Sequence, residues 1–337
     1  MAVIELVDRD EEARGKDSGP TQEQKNSNEN ANKEQEPVAA TGSVIMLFDG
    51  FFGIDWSGDK SKYQKGIKVA YLDKKNTNPV IIEPQSKKKY WDRSSLIQYL
   101  QNLNSNKSYL IGFDFAFAYP FEDYKNYFID FDKSPKSAKK LWDFIDLHNY
   151  EKSNYYGGNI WKKKTICEYY NSPVKKGLKF NSRRRITEIY AKNICSPSPT
   201  FNCVGPGAVG TGSLAGMRVL KVLKKNYNIW PFDNFKNNKK SVIVEIFPTL
   251  YFRKHSIKPK KNTGYTLNQI NDALKKYNCL PVSKNFKMFG PDQDEADAII
   301  SAAALKYFSQ NRKYWKVHKA AKKEGWIYGV KFINDKV

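Results

Sequence analysis

The stretch from Phe51 to Gly58 constrains the fold more than any other part of the sequence. It reads Phe-Phe-Gly-Ile-Asp-Trp-Ser-Gly, an apolar run that ends in one carboxylate, Asp55, before a turn-forming Ser57-Gly58 pair. Such a run predicts a buried strand that holds a charge at a cleft, because the apolar flank immobilises the carboxylate and glycine lets a ligand approach the backbone. A hairpin turn that Asp55 merely caps explains the same residues equally well.

Three further segments present acids in apolar surroundings. Asp114 ends an apolar run and Glu245 lies within the apolar run 242–248, while Asp294 and Asp297 open an alanine-rich helical segment and project from one face of it. Each acid alone could be a strand-end or helix cap. Together they would repel one another, since like charges ~4 Å apart at an effective dielectric near ~20 cost ~4 kcal/mol per pair. Divalent cations would neutralise that repulsion.

The cysteines and histidines of the chain indicate which metal to expect at such a cluster. Four cysteines stand at irregular spacings without a C-x-x-C pair, and three histidines share no motif, so the sequence supports neither a disulfide framework nor a usual zinc site. Carboxylate oxygens favour Mg²⁺ or Mn²⁺. Two such ions suit hydrolysis of phosphodiester bonds. The candidate catalytic residues are therefore Asp55, Asp114, Glu245 and Asp297.

The net charge of +22 points to a polyanionic partner, with nucleic acid, either DNA or RNA, the leading candidate. Residues 1–45 contain ten acids and five bases, a net of −5, so the remaining chain carries +27. Only nine of the 57 basic residues are arginine. A compositional bias toward lysine on a solvated surface explains part of the charge.

The hydrophobic pattern predicts an α/β domain over residues 46–337 after a disordered tail, 1–45. Short turns make the first three strands an antiparallel meander. No apolar run reaches the roughly 20 residues of a membrane helix, and the acidic start is unlike a signal peptide, so a cytoplasmic location is expected. The predicted strands are 51–56, 66–72, 79–83, 109–114 and 242–248, and the predicted helices are 92–103, 137–148, 217–225, 266–277 and 294–308.

A glycine run, 205–216, and a basic stretch before it are candidates for nucleic-acid contact. The run contains G-x-G-x-x-G, but no strand pattern precedes it, so a dinucleotide site is not favoured. A glycine-rich turn that opens a helix can bind a phosphate, and a loop packed over the sheet fits as well. Arginine and aromatic side chains suit phosphate and base contact, although a solvated helix face is an equal alternative. The residues predicted to contact nucleic acid are Lys175, Lys176, Arg183, Arg184, Arg185, Gly210, Gly212 and Arg218.

The order of these motifs resembles the DUF429 family of predicted nucleases with a ribonuclease H-like fold. The resemblance implies a mixed sheet flanked by helices, a probable insertion or channel-forming region at 121–240, and metal ligands at Asp55, Asp114, Glu245 and Asp297, with Asp294 a further candidate. Ala116 stands where relatives often carry proline, which puts the conformation of that loop in doubt. The matching segments, spread over about residues 48–330, are Gly53-Ile-Asp-Trp-Ser-Gly58, Ile111-Gly-Phe-Asp-Phe-Ala-Phe-Ala-Tyr-Pro120, Val244-Glu-Ile-Phe-Pro248, Asp294-Glu-Ala-Asp-Ala298 and Glu324-Gly-Trp-Ile327.

The sequence therefore predicts a metal-dependent nuclease that uses two ions. Two other functions fit the same pattern. Actin-like ATPases and sugar kinases share the ribonuclease H-like topology, and the turn after Asp55 resembles their phosphate-holding turn. A non-catalytic nucleic-acid-binding protein on this fold is the third possibility.

Overall fold

The computed structural model describes residues 48–85, 88–149, 154–235, 241–260, 264–282 and 292–333. The tail predicted at 1–45 lies outside these residues. Six strands form one sheet: β1 (Gly50–Asp55), β2 (Lys68–Asp73), β3 (Val80–Ile81), β4 (Tyr109–Phe113), β5 (Asn228–Ile229) and β6 (Val242–Glu245).

The sheet has the order β3-β2-β1-β4-β6-β5. The pairs β1–β2 and β2–β3 are antiparallel, which confirms the predicted meander. The pairs β1–β4, β4–β6 and β5–β6 are parallel. The carboxyl ends of these four parallel strands therefore meet along one side of the sheet, here termed the carboxyl edge.

Four helices, which begin at residues 93, 138, 267 and 293, start where capping residues and apolar periodicity predict them. Asp92 caps α1 (Arg93–Gln101) by accepting a hydrogen bond from the Ser95 amide, and Thr266 caps α6 (Leu267–Lys276) in the same way through the Gln269 amide. The eight α-helices among the described residues are α1 (Arg93–Gln101), α2 (Ala138–Leu147), α3 (Ile186–Ala191), α4 (Gly210–Leu223), α5 (Pro248–Arg253), α6 (Leu267–Lys276), α7 (Gln293–Ser309) and α8 (Ala321–Glu324).

The helices cover both faces of the sheet and enclose two hydrophobic cores. Phe52 and Ile54 of β1 face the first core, which contains apolar residues of α1, α2 and α4. Phe51 faces the second core, with α5, α6 and α7. Successive strand residues point to opposite faces, so one strand supplies both cores.

Helix α7 lies directly against β1. A Cβ atom on Gly53 would overlap the Ala298 carbonyl oxygen and lie 2.6 Å from the Ala302 nitrogen. Glycine at this position allows the helix backbone to contact the strand. The alanines of α7 complete the close packing, as the alanine-rich pattern predicts.

Several elements differ from their predicted bounds, and the sequence does not predict β5, α3, α5 or α8. Strand β6 ends at Glu245, three residues before the predicted end, and Pro248 begins α5. Strand β3 contains only Val80–Ile81. Helix α4 begins at Gly210 instead of Met217, because tertiary packing requires small residues in its first turns and outweighs the low helix propensity of glycine. A Cβ atom on Gly216, for example, would overlap the Phe115 ring.

The mixed sheet flanked by helices confirms the predicted α/β class and agrees with a ribonuclease H-like fold. Residues 121–240 contribute the edge strand β5 and the helices α2, α3 and α4. Within the described ranges, no helix is long and apolar enough to cross a membrane.

Candidate active site

Asp55 and Asp114 lie side by side at the carboxyl edge. Strands β1 and β4 pair with Ile54 opposite Phe113, so the next residue of each strand is an aspartate. The Asp114 amide donates a hydrogen bond to the Ile54 carbonyl oxygen at 3.1 Å. Asp55 is 9% exposed, whereas Asp114 is half-buried. The structure thus brings together two of the predicted ligands.

Both aspartates belong to the face of the sheet that α7 covers. Asp55 follows Gly53 by two residues, and Gly53 faces α7. Asp114 follows Gly112 by two residues, and a Cβ atom on Gly112 would lie 3.0 Å from Leu305 Cδ1 of α7. Because strand residues two apart share a face, the two carboxyl groups start on the α7 side.

The first turn of α7 brings its acids to the same edge. A Cβ atom on Gly66 would lie 3.4 Å from Ser57 Cβ and 3.6 Å from Asp294 Oδ2. Asp294 is therefore close to the turn that follows Asp55. Asp297, one turn further along α7, is 2% exposed and accepts a hydrogen bond from Gln293 Nε2 at 3.2 Å.

Lys68 is a site residue that the sequence reasoning missed. It stands opposite Asp55 in the β1–β2 pair, and its Nζ lies 3.1 Å from Asp292 Oδ2 and 3.2 Å from Glu295 Oε1. Burial alone would lower the pKa of Lys68, but the two carboxylates raise it above its ordinary value. Lys68 thereby ties the capped start of α7 to β2. Only the pairing register could have identified it.

Glu245 does not join the other acids, contrary to its predicted role as a ligand. It pairs in register with Phe113, and Phe113 faces the first core. Its neighbour Val244 faces the second core with α7. Alternation along β6 therefore directs Glu245 to the face opposite Asp55.

The carboxylate of Glu245 is occupied by protein donors. Arg185 Nη2 donates to Oε1 at 2.6 Å, Arg185 Nη1 donates to Oε2 at 2.8 Å, and the Phe117 amide donates to Oε2 at 3.0 Å. Arg185 also bonds Glu188 Oε1 at 2.7 Å. Burial opposes the charge on Arg185, but Glu245 and Glu188 raise its pKa above the ordinary value.

Three arginines predicted to contact nucleic acid are internal, which corrects that prediction. Arg183, Arg185 and Arg218 are 6%, 2% and 1% exposed. Arg183 binds Asp123 and three backbone carbonyls, and Arg218 binds Asp146 and a carbonyl oxygen. These guanidinium groups neutralise acids and carbonyls inside the fold, so they offer no surface to a phosphate.

Of the other residues predicted to contact nucleic acid, some are packed inside the fold and some are exposed. Gly210 is buried and donates its N–H to the Asn202 carbonyl oxygen at 2.9 Å, so it is corrected to a packing residue. Gly212 and Arg184 are half-buried. Lys175 and Lys176 are exposed, and their contact with nucleic acid stays a prediction.

The start of α4 packs on the turn that follows Asp55. A Cβ atom on Gly58 would overlap the Gly212 nitrogen, and Trp56 Nε1 donates to the Gly212 carbonyl oxygen at 3.0 Å. No strand precedes the glycine run in the described segment 196–203, where Asn202 forms an isolated bridge. The glycines therefore allow the start of α4 to pack closely on the turn after Asp55. The strand that should precede a dinucleotide-binding fingerprint is missing from this described segment.

Arg93 holds the same turn from the other side. Its Nη2 donates to the carbonyl oxygens of Ser57 at 2.7 Å and Asp59 at 2.8 Å, and its Nη1 donates to the Asn154 carbonyl oxygen at 2.7 Å. The guanidinium carbon lies 5.6 Å from the centre of the Trp56 ring. Burial lowers the pKa of Arg93 to about 10. These contacts fix the backbone immediately after Asp55.

Four aspartates near the carboxyl edge match the ligand type of the predicted metal. Asp55, Asp114, Asp294 and Asp297 offer the oxygen donors that Mg²⁺ or Mn²⁺ requires, at one edge of the sheet. Glu245 does not fit, because both of its oxygens accept protein hydrogen bonds. Within the part of the chain that the structure describes, no group of three or more His, Cys, Asp or Glu side chains is arranged to hold a metal ion.

Comparisons with known proteins give no family. No family model and no solved structure matches the chain. A 23-residue segment is 87% identical to the large ribosomal subunit protein bL17 of Rhodopseudomonas palustris (strain BisB5) and covers 7% of this chain and 17% of that protein. So short a match does not assign the chain to that family. The resemblance to DUF429 stays a prediction.

Proposed function

We propose that the chain is a divalent-metal-dependent hydrolase of phosphodiester bonds in nucleic acid. The observation that carries the proposal is the pairing of Asp55 with Asp114 at adjacent strand ends, on the face where α7 begins. Two carboxylates that the sheet register brings together on one face offer several oxygen donors at one place. Mg²⁺ and Mn²⁺ are the ions that such oxygen donors favour.

In this proposal Asp55, Asp114 and Asp297 would hold the metal, with Asp294 as a further ligand. Their side chains would have to move to do so, because no three acids of the described residues are arranged to hold an ion. The bound metal would activate a water nucleophile and stabilise the charge that develops on the phosphate. Lys68 sets the position of Asp294 by tying the start of α7 to β2.

Glu245 and Arg185 have a supporting role in the same proposal. The hydrogen bond from the Phe117 amide to Glu245 fixes the segment that leaves Asp114. Because Arg185 neutralises Glu245, Glu245 is left out of the proposed metal ligands, although the sequence predicted it as one of them.

The charge of the region beyond the carboxyl edge supports a polyanionic substrate. Residues 154–209 contain ten lysines and arginines and two acids, Glu168 and Glu188. Glu168 pairs with Lys175, and Glu188 pairs with Arg185. Arg183 and Arg185 are neutralised inside the fold, so the accessible positive charge of this region comes mainly from its lysines, six of which are exposed. This basic surface favours nucleic acid among macromolecular substrates.

The nucleotide-binding alternative has less support. A phosphate-holding turn at Ser57-Gly58 would need space beside the Gly58 backbone. The first turn of α4 occupies that space, since a Cβ atom on Gly58 would lie only 2.5 Å from the Thr211 carbonyl carbon.

Cleavage assays on the full chain test the proposal. We expect DNA or RNA, single- or double-stranded, to be cut with Mg²⁺ or Mn²⁺ and not with EDTA. Asp55→Asn and Asp114→Asn should abolish cleavage. Asp73→Asn is the matched control, because Asp73 ends β2 beside Gly50 at the opposite edge of the sheet. Normal cleavage by Asp55→Asn would overturn the proposal. Salt-sensitive binding without cleavage would assign the non-catalytic role instead.

A further inference from the structure

A lobe formed by residues 154–209 lies beside the proposed site. Arg183 Nη2 donates to the Pro120 carbonyl oxygen at 2.9 Å, and the hydroxyl groups of Tyr119 and Tyr170 are 3.1 Å apart. Tyr119 and Pro120 belong to the segment that leaves β4 after Asp114. The lobe is thus anchored on the chain at the carboxyl edge.

A second set of contacts joins the lobe to the turn after Asp55. Gly212 packs on Gly58, and the nearby Gly210 donates its N–H to the Asn202 carbonyl oxygen at 2.9 Å. Asn202 Oδ1 in turn accepts from Asn171 Nδ2 at 2.8 Å. Asn171 begins a projecting segment, residues 171–180, here termed the lysine loop.

Backbone hydrogen bonds hold the lysine loop in one conformation. The Gly177 amide donates to the Tyr170 carbonyl oxygen at 2.9 Å, and the Lys179 amide donates to the Glu168 carbonyl oxygen at 2.9 Å. The Leu178 amide donates to Glu168 Oε2 at 2.9 Å. Glycine is required at 177, because a Cβ atom there would overlap the Glu168 backbone. The backbone at Leu178 is consequently held in place.

Leu178 and Val174 are exposed aliphatic side chains on a basic surface. Leu178 is 93% exposed, the largest value among the large hydrophobic residues of the described chain, and Val174 is 68% exposed. Lys175, Lys176 and Lys179 of the same loop are exposed as well. Exposed aliphatic side chains surrounded by lysines are complementary to a polyanion that also has apolar surfaces.

The aromatic rings of this region are covered by lysines. Lys176 Nζ lies 5.8 Å from the centre of the Phe180 ring, and Lys179 Nζ lies 5.4 Å from the centre of the Tyr169 ring. Single-strand binding typically uses exposed aromatic faces on which bases stack. Aliphatic residues on a rigid, basic loop are instead typical of wedges that enter between base pairs of a duplex and kink it.

We propose that the lysine loop is a duplex-binding wedge, in which Leu178 enters between base pairs while Lys176 and Lys179 contact the flanking phosphates. The proposal rests on the proposed function, since it specifies duplex nucleic acid as the substrate of the same site.

Binding and bending of an end-labelled duplex test the wedge in EDTA, where metal-dependent cleavage is absent. We expect the full chain to increase energy transfer between the duplex ends and to bind single strands more weakly. Leu178→Ser should lose the bend and Leu178→Phe should keep it, whereas Leu147→Ser, at an exposed leucine on α2, is the control. Lys176→Gln and Lys179→Gln should each reduce the slope of log affinity against log salt by about 1.

The outcomes separate the wedge from the nuclease proposal. An unchanged bend with Leu178→Ser, equal affinity for single strands, or binding of anionic vesicles in place of duplexes would overturn the wedge. A duplex that is bound and bent but never cut with Mg²⁺ or Mn²⁺ would leave the wedge in place and overturn the nuclease proposal.

Discussion

Arg185 binds Glu245 through two parallel hydrogen bonds, Nη2 to Oε1 at 2.6 Å and Nη1 to Oε2 at 2.8 Å, with the side chains 2% and 3% exposed. The bidentate geometry makes this a strong charge-assisted contact. The pair joins the start of α3 to the end of β6. It also removes Glu245 from the carboxylates available to a metal.

Arg185→Met should destabilise the fold strongly. The substitution leaves Glu245 and Glu188 buried without their cation, and breaking a buried pair in this way costs about 3–5 kcal/mol. Urea denaturation measures the free energy of unfolding. The control is Lys221→Met, which removes a lysine that is 35% exposed from its pair with Asp146 and should cost less than about 1 kcal/mol. Equal losses for the two variants would contradict the assigned role of Arg185.

Metal binding should distinguish Asp55 from Glu245. We expect Asp55→Asn to weaken Mn²⁺ binding by about 100-fold or more, as for loss of a charged ligand. Glu245→Gln should weaken Mn²⁺ binding much less than Asp55→Asn, because the Glu245 carboxylate serves Arg185 and the Phe117 amide and affects the metal only through the segment that follows Asp114. Titration calorimetry below the unfolding temperature of each variant measures both. A comparable loss in Glu245→Gln would restore Glu245 to the ligand set.

Gly53→Ala should separate α7 from β1. The new methyl group would overlap the Ala298 carbonyl oxygen, and overpacking of this kind costs about 1–3 kcal/mol or more. The shift would also move Asp297 relative to Asp55, so metal binding should weaken. Gly66→Ala is the matched control, because its methyl group would make ordinary contacts at 3.4 and 3.6 Å. Equal unfolding free energies for the two variants would refute the proposed close approach.

Arg93→Lys should loosen the turn after Asp55. One ammonium group cannot reproduce the forked donation to Ser57, Asp59 and Asn154, and each carbonyl left without its donor costs about 1–3 kcal/mol. Hydrogen exchange should accelerate at the Gln64 amide, which bonds the Trp91 carbonyl oxygen at 2.7 Å. The Ile270 amide in α6 provides an internal reference. Unchanged exchange at Gln64 would rule out this role for Arg93.

Asp49 should add stability that depends on pH. Its hydrogen bond with Lys74, followed by those from Ser108, lowers its pKa from the ordinary 3.8 to about 2. A carboxyl group with a depressed pKa stabilises the fold above its unfolded value, and the contribution disappears as the pH falls from 3.8 through about 2. Asp49→Asn should therefore be less stable than wild type near about pH 6, by under about 1 kcal/mol for so exposed a pair. The difference should shrink as the pH falls toward 2 and vanish only below about pH 2, where Asp49 is protonated in both states. A difference that persists at low pH would contradict this linkage.

Local sequence determined where most elements begin and end. The apolar run before Asp55 specifies a strand, and Asp92 and Thr266 mark helix starts, because these choices depend on residues only a few positions apart. The same local logic places Asp55 and Asp114 at strand ends. Parallel pairing of β1 and β4 then makes them neighbours.

Only the tertiary structure determined which face of the sheet Glu245 lies on and that the arginines are buried. Glu245 ends a strand just as Asp55 does, but the register of β6 against β4 directs it to the other face of the sheet, toward Arg185. In the sequence, Arg183 and Arg185 look like part of a basic surface patch, but both lie inside the fold. Their acidic partners there, Asp123 and Glu245, are each 60 residues away along the chain, so local sequence could not identify them. A charged group is buried only where such a partner neutralises it, and that partner is brought near by the packing of the whole domain.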